Sequence, residues 1–208
     1  MHNDRPNIIM LMDDQRRWDA LGCVDPLVQT PALDRLAAGG IRYGQTVCQA
    51  PVCVPSRYSL MLGLYPSQVG VRNNSEALSD EALPVAPLAE HLRAAGYETA
   101  GFGKTHWRMP GCSTRGFETR AIGQLSESML LESGARMMGD DNPEGIKAYF
   151  RDTNPFGNGE SGLEGFLGCT SRLAERDHRD GWVTEKCLEY LARRPVDCGR
   201  PLFLYLSF

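Results

Sequence analysis

The chain has 208 residues, 42% of them apolar and 23% charged, with a formal net charge of −4. That length builds one sizeable core without disulfide or metal staples. The acidic balance gives no electrostatic case for a nucleic-acid binder, where a basic stripe is expected, and leaves an anionic substrate at a locally positive site open.

The first element is PNIIMLMDDQ. Ile8 to Met12 is a continuous apolar run between Pro6 and the pair Asp13-Asp14, which predicts a buried central strand with two acids at its C-terminal end. The run is too short for a signal-peptide core or a membrane span. A cytoplasmic chain with no membrane partner is the expectation. TPALDRLAAGGIRY follows: Thr30 as N-cap, Pro31 in the first turn and Gly39-Gly40 as the stop predict a helix, with a short extended segment from Ile41 to Tyr43. Next come APVCVPSR and a helix expected near Ser56 to Leu64, closed by Pro66.

PLAEHLRAAGYETAGFGKTHW repeats this grammar. Leu88, Leu92 and Ala95 share a helical face, Gly96 fits the position after the helix, Tyr97 to Phe102 reads as a strand, and Gly103 to His106 as the loop beyond it. Residues 134–180 are rich in Gly, Asn, Asp, Pro and Ser; they read as a loop-rich insert with a short helix near Glu144 to Phe150. WVTEKCLEYLARR is amphipathic, with Val183, Cys187, Leu188 and Leu191 on one side; Pro195 stops it, and PLFLYLSF reads as a buried strand. Helix, glycine stop, strand and loop in alternation are an α/β rhythm. A domain that ends on a core strand reads as cut short.

Seven cysteines at irregular spacing, with no CxxC pair, favour a reducing compartment over a disulfide scaffold, a zinc knuckle or a dithiol site. Asp13 and Asp14 are hard oxygen donors suited to calcium or magnesium, but two acids are an incomplete shell; a strand-end turn or a helix cap is the plain alternative. Cys53 and Arg57 stand at a predicted helix start, where free N–H groups favour an anion and a thiolate, and Arg57 adds a forked donor for a tetrahedral oxyanion. A buried thiol beside a surface arginine is the plain alternative. The Cys-x-x-x-Arg spacing excludes the cysteine-phosphatase loop. GFGKT at 101–105 is no nucleotide loop, because Glu98 stands where that motif needs glycine. Lys104 and His106 remain as a cation and a proton donor beyond a strand, or as solvated loop residues. A metal pair, a nucleophile beside arginine and a Lys/His loop together are the inventory for attack on a sulfuryl or phosphoryl ester.

With those motifs in family order, the chain resembles a type I sulfatase, a formylglycine-dependent member of the alkaline phosphatase superfamily. RPNIIMLMDDQ resembles the opening strand and metal acids, and TPALDRLAAGGIRYGQTVCQAPVCVPSRYSLMLGLYPSQVGV the helix leading into the Cys-x-Pro-Ser-Arg signature. LAEHLRAAGYETAGFGKTHW resembles the Gly-Lys-x-His block, STRGFE the short element after it, and WVTEKCLEYLARR with PLFLYLSF a later helix and strand. The resemblance implies an α/β, alkaline-phosphatase-like fold, with a mostly parallel central sheet flanked by helices. Residues 1–208 would be the N-terminal part of one catalytic domain. It implies hydrolysis of a small-molecule or carbohydrate sulfate ester by formylglycine made from Cys53, with the formylglycine-generating enzyme as maturation partner. Asp13, Asp14 and the converted Cys53 would surround one calcium ion, with magnesium as the alternative. Cys53, Arg57, Lys104 and His106 would be the catalytic set, Arg57 steadying the modified side chain, Lys104 contacting sulfate oxygens and His106 assisting. Thr105 departs from the family's tryptophan, with Trp107 after the histidine. The family's Pro-His segment and its later Asp-Asn pair are absent up to Phe208, so the chain alone is expected to be inactive. A phosphonate monoester or phosphodiester hydrolase of the same superfamily and a non-catalytic anion- or metal-binding fragment are the competing readings.

Overall fold

The structure, a computed structural model, describes residues 5–106, 114–121, 179–195 and 198–208. Four strands, β1 (Ile8–Met12), β2 (Glu98–Gly103), β3 (Thr119–Ala121) and β4 (Leu202–Ser207), form one parallel sheet in the order β1-β4-β2-β3. The last strand is inserted between the first two. Ser207 is in register with Met12 on one side and Gly103 on the other, so three strands end at one level. In an open α/β sheet that C-terminal edge is the ligand-binding edge.

Burial on both faces explains why β4 is apolar except at Tyr205 and Ser207. Phe203 and Tyr205 enter a cluster with Val54, Tyr58, Met61, Ala89, Tyr97 and Phe117. Leu202, Leu204 and Leu206 enter a second one, on the other face, with Ala100, Phe102, Trp182, Val183 and Cys187. Alternation at period two therefore fills two cores, and each fully buried large side chain contributes about 1.5–3 kcal/mol. β1 differs. Met10 and Met12 are half-buried against the first cluster, whereas Ile9 is 61% and Leu11 53% exposed. Among the described residues β1 is an edge strand, not the central one its apolar run predicts: β4 pairs with one side of it only.

α1 (Pro31–Gly39) matches its predicted bounds, and Thr30 stands at the N-cap position, but its side chain makes no capping bond. Its hydroxyl donates to Asp34 Oδ1 at 3.0 Å and accepts from the Gly22 N–H at 2.8 Å, which ties the preceding loop to the helix. Residues 41–43 form no strand; Ile41 and Tyr43 are exposed. α2 (Cys53–Leu62) begins three residues before its predicted start. Val52 is extended and its carbonyl accepts from the Ser56 N–H at 3.0 Å, while Pro55 takes a first-turn position where a missing N–H costs nothing. Left-handed Gly63 closes α2, and Pro66 opens α3 (Pro66–Val69) instead of ending a helix. A 3-10 turn (Asp80–Ala82) precedes α4 (Leu88–Ala94), where Ala89 is fully buried and Ala95, predicted on the apolar face, is exposed.

α5 (Arg179–Arg193) covers the second cluster with Trp182, Val183 and Cys187, whereas Leu188 and Leu191 lie exposed. Its rotation is set at its C-terminal end. The Tyr190 ring packs 5.5 Å from Phe102, its hydroxyl donates to Glu98, and Arg194 Nε reaches Glu98 at 2.9 Å. The helix expected near 144–150 and residues 134–178 of the expected loop-rich insert lie outside the described residues; Arg179 and Asp180, expected at the end of that insert, instead open α5. No described helix is long and apolar enough to cross a membrane, and all five described cysteines are free.

Candidate active site

The candidate site lies where β1, β2 and β4 end. β2 reaches it through Gly103, whose φ is +82°; a Cβ there would stand 1.8 Å from the Ser207 carbonyl oxygen. Only glycine permits that approach, and the next N–H, that of Lys104, donates to the same carbonyl at 3.0 Å. Lys104 is thereby aimed along the sheet edge. Its ammonium donates to Asp14, from the end of β1, and lies 3.8 Å from Cys53 Sγ, in the first turn of α2. Burial pushes the Asp14 carboxyl up. The hydrogen bond and charge of Lys104, with smaller contributions from Arg57 and His106, outweigh it and hold the carboxyl below its ordinary range.

Arg57 is 2% exposed. Its Nη1 donates to the Lys104 carbonyl at 2.5 Å, to Tyr205 Oη at 2.6 Å and to Ser207 Oγ at 3.0 Å. One nitrogen of the fork is thus consumed by protein acceptors from two strand ends. Nη2 is buried with no hydrogen-bond partner among the described residues. Arg57 is a buried fastener between α2 and the sheet edge, not the surface arginine of the plain reading. His106 follows on the loop, half-buried, in the left-handed region at φ +58°.

The structure therefore gathers Cys53, Arg57, Lys104, His106 and Asp14. Asp13 is turned to Arg16, whose Nε it accepts at 2.5 Å. No group of three or more His, Cys, Asp or Glu able to hold a metal occurs among the described residues. The donors suit a hard divalent ion in kind but not in number, and each carboxylate is engaged by a cation. Glu98, the residue that breaks the nucleotide-loop spacing, begins β2, away from this edge.

Three further residues serve the site without having been singled out by motif. Tyr205 and Ser207 receive Arg57, and Tyr205 also donates to the Lys104 carbonyl at 3.1 Å. Their signal was a polar pair two residues apart in an otherwise apolar strand, which must find partners when buried. Asn74 accepts the Val54 N–H at 3.0 Å; nothing in its spacing announced that. Thr105, in place of the family's tryptophan, is buried and accepts from Arg120 Nη2 at 2.7 Å. Trp107 lies outside the described residues.

A family model for Sulfatase matches residues 6–208. The chain belongs to the sulfatase family. An ulvan-active sulfatase from Formosa agariphila is 43% identical over 103 residues, covering 49% of this chain and 20% of its own length. An arylsulfatase from Clostridium perfringens is 28% identical over 213 residues, covering 98% of this chain and 43% of its own. Sulfatase membership thus rests on nearly the whole chain, which spans less than half the length of either relative. A solved phosphonate monoester hydrolase from Agrobacterium radiobacter superposes with a TM-score of 0.71 at 21% identity, over 98% of this chain and 40% of that one. That likeness establishes the alkaline-phosphatase-type fold: a parallel sheet flanked by helices.

Proposed function

We propose that the protein to which this chain belongs hydrolyses sulfate esters, and that residues 1–208 carry the nucleophile side of the reaction. The observation that carries this reading is the placement of Cys53 in the first turn of α2, 3.8 Å from Lys104 Nζ, at the shared end of three parallel strands. A helix start and an ammonium there face the same volume, and both favour an anion. Converted to formylglycine by its maturation enzyme, the Cys53 side chain would supply the attacking oxygen. Lys104 would neutralise charge growing on the sulfuryl oxygens. His106, on the same loop, would hold or deliver a proton at the reacting oxygen. Arg57 acts from below, holding the Lys104 carbonyl against α2 so that cation and nucleophile keep their separation. Asp13 and Asp14 would hold the divalent ion, calcium or magnesium, once released from Arg16 and Lys104; bound there, it would polarise the ester oxygens.

The test is turnover. The whole protein, produced with the formylglycine-generating enzyme, should release sulfate from an aryl or carbohydrate sulfate ester, and Cys53→Ala should abolish it. Faster hydrolysis of a matched phosphonate monoester would favour the other activity of this fold, and no turnover of either would favour a binding module. The 208-residue chain alone, with two carboxylates at the edge, should give none.

A further inference from the structure

α2 has no side-chain cap of its own: Val52 stands at the N-cap position and makes no such bond. Of the next three residues, Pro55 has no N–H, the Val54 N–H donates to Asn74 Oδ1 at 3.0 Å, and the Cys53 N–H has no partner among the described residues. The acceptor comes from 20 residues away, from a loop that is built to present it. Asn73 Oδ1 accepts the Ser75 N–H at 2.8 Å, Asn73 Nδ2 donates to Glu76 Oε1 at 2.8 Å, and the Arg72 N–H donates to Glu76. Buried Val71 fixes one end of this loop. The other end is clasped by α2 itself: Tyr58 Oη accepts the Leu78 N–H at 2.9 Å and donates to the Leu78 carbonyl at 3.2 Å. Buried Arg115 donates through Nη2 to Tyr58 Oη at 2.8 Å and to the Leu78 carbonyl at 2.5 Å. The helix holds the loop at Tyr58, and the loop holds the helix start at Val54.

We infer that Asn74 is a positioning residue for Cys53: it caps α2 from outside the helix, fixes the turn that carries the nucleophile, and leaves the Cys53 N–H as the donor of that turn with no partner among the described residues. The catalytic importance of this turn rests on the sulfatase reading; the capping does not. Amide hydrogen exchange in the 208-residue chain, read by nuclear magnetic resonance without any turnover, separates the two. The Val54 amide should exchange roughly tenfold more slowly than that of Cys53, the worth of a good cap. Asn74→Leu should remove that protection and leave the Leu62 amide at the far end of α2 unchanged. Asn74→Asp, which keeps the accepting oxygen, should restore it. An unprotected Val54 amide in the unmodified chain would overturn the proposal whether or not any variant folds. So would an unchanged rate in Asn74→Leu, or faster exchange along all of α2 that Asn74→Asp fails to reverse. None of these results bears on sulfate release, and failure to release sulfate leaves the exchange pattern standing.

Discussion

Replacing Arg57 by alanine tests whether the site is fastened from beneath. The side chain is 2% exposed, and its Nη1 serves three acceptors at 2.5–3.0 Å. Hydrogen bonds to a charged donor are each worth about 1.5–3 kcal/mol, but they do not add here. Tyr205 Oη and the Lys104 carbonyl are 3.1 Å apart and already bonded, so they keep each other partly satisfied when Arg57 goes. The variant also releases a buried charge whose Nη2 lacks a hydrogen bond among the described residues, which offsets part of the loss. The net cost should be about 2–4 kcal/mol, a fall of roughly 4–16 °C in Tm for a chain of this size. Urea denaturation followed by circular dichroism measures it, with an unchanged slope as the check that the same transition is compared. Arg57→Lys should recover less than half, because an ammonium cannot reproduce the fork. A loss under about 1 kcal/mol for alanine, or full recovery by lysine, would refute the fastener role.

Other consequences follow from the same edge. Gly103→Ala should cost at least about 3 kcal/mol, because its Cβ would collide with the Ser207 backbone. Gly63→Ala, also at positive φ but in open space, should cost only about 1–2 kcal/mol; equal losses in the two melts would show that the collision is relieved at no cost. The Glu98 carboxyl is pushed up by burial but held below its ordinary value by Tyr190 and Arg194, so its contribution is present at neutral pH and disappears as pH falls through the carboxylate range. Glu98→Gln should therefore be less stable than the unmodified chain at neutral pH, and the gap should close below about pH 4. A gap that is constant across the melts at each pH would contradict that.

The α/β class, the strand ends and the cluster of Cys53, Lys104 and Asp14 were legible because each rests on local grammar: glycine stops, apolar runs and acids or cations just beyond them. What was not legible depended on tertiary partners. The apolar run of β1 cannot tell a central strand from an edge strand; that depends on pairing, and among the described residues only β4 pairs with β1. The buried stripe of α5 turned away from Leu188 because Tyr190 and Arg194 anchor to Glu98, a contact about 90 residues distant that no helical periodicity encodes. Arg57 looked like a donor for a substrate anion; the acceptors that claim its Nη1 come from β4 and the end of β2, far along the chain.

Sulfate-ester hydrolysis at this site requires Cys53 to be more than a thiol. Tryptic cleavage after Arg42 and Arg57 places Cys48 and Cys53 in one peptide, so fragment masses compare the two directly. The chain should be produced alongside the formylglycine-generating enzyme and that peptide fragmented in a mass spectrometer. A loss of about 18 Da, thiol to aldehyde, is predicted at Cys53 and none at Cys48. An unmodified thiol at Cys53, under conditions where a known substrate of the maturation enzyme is converted, would contradict the account.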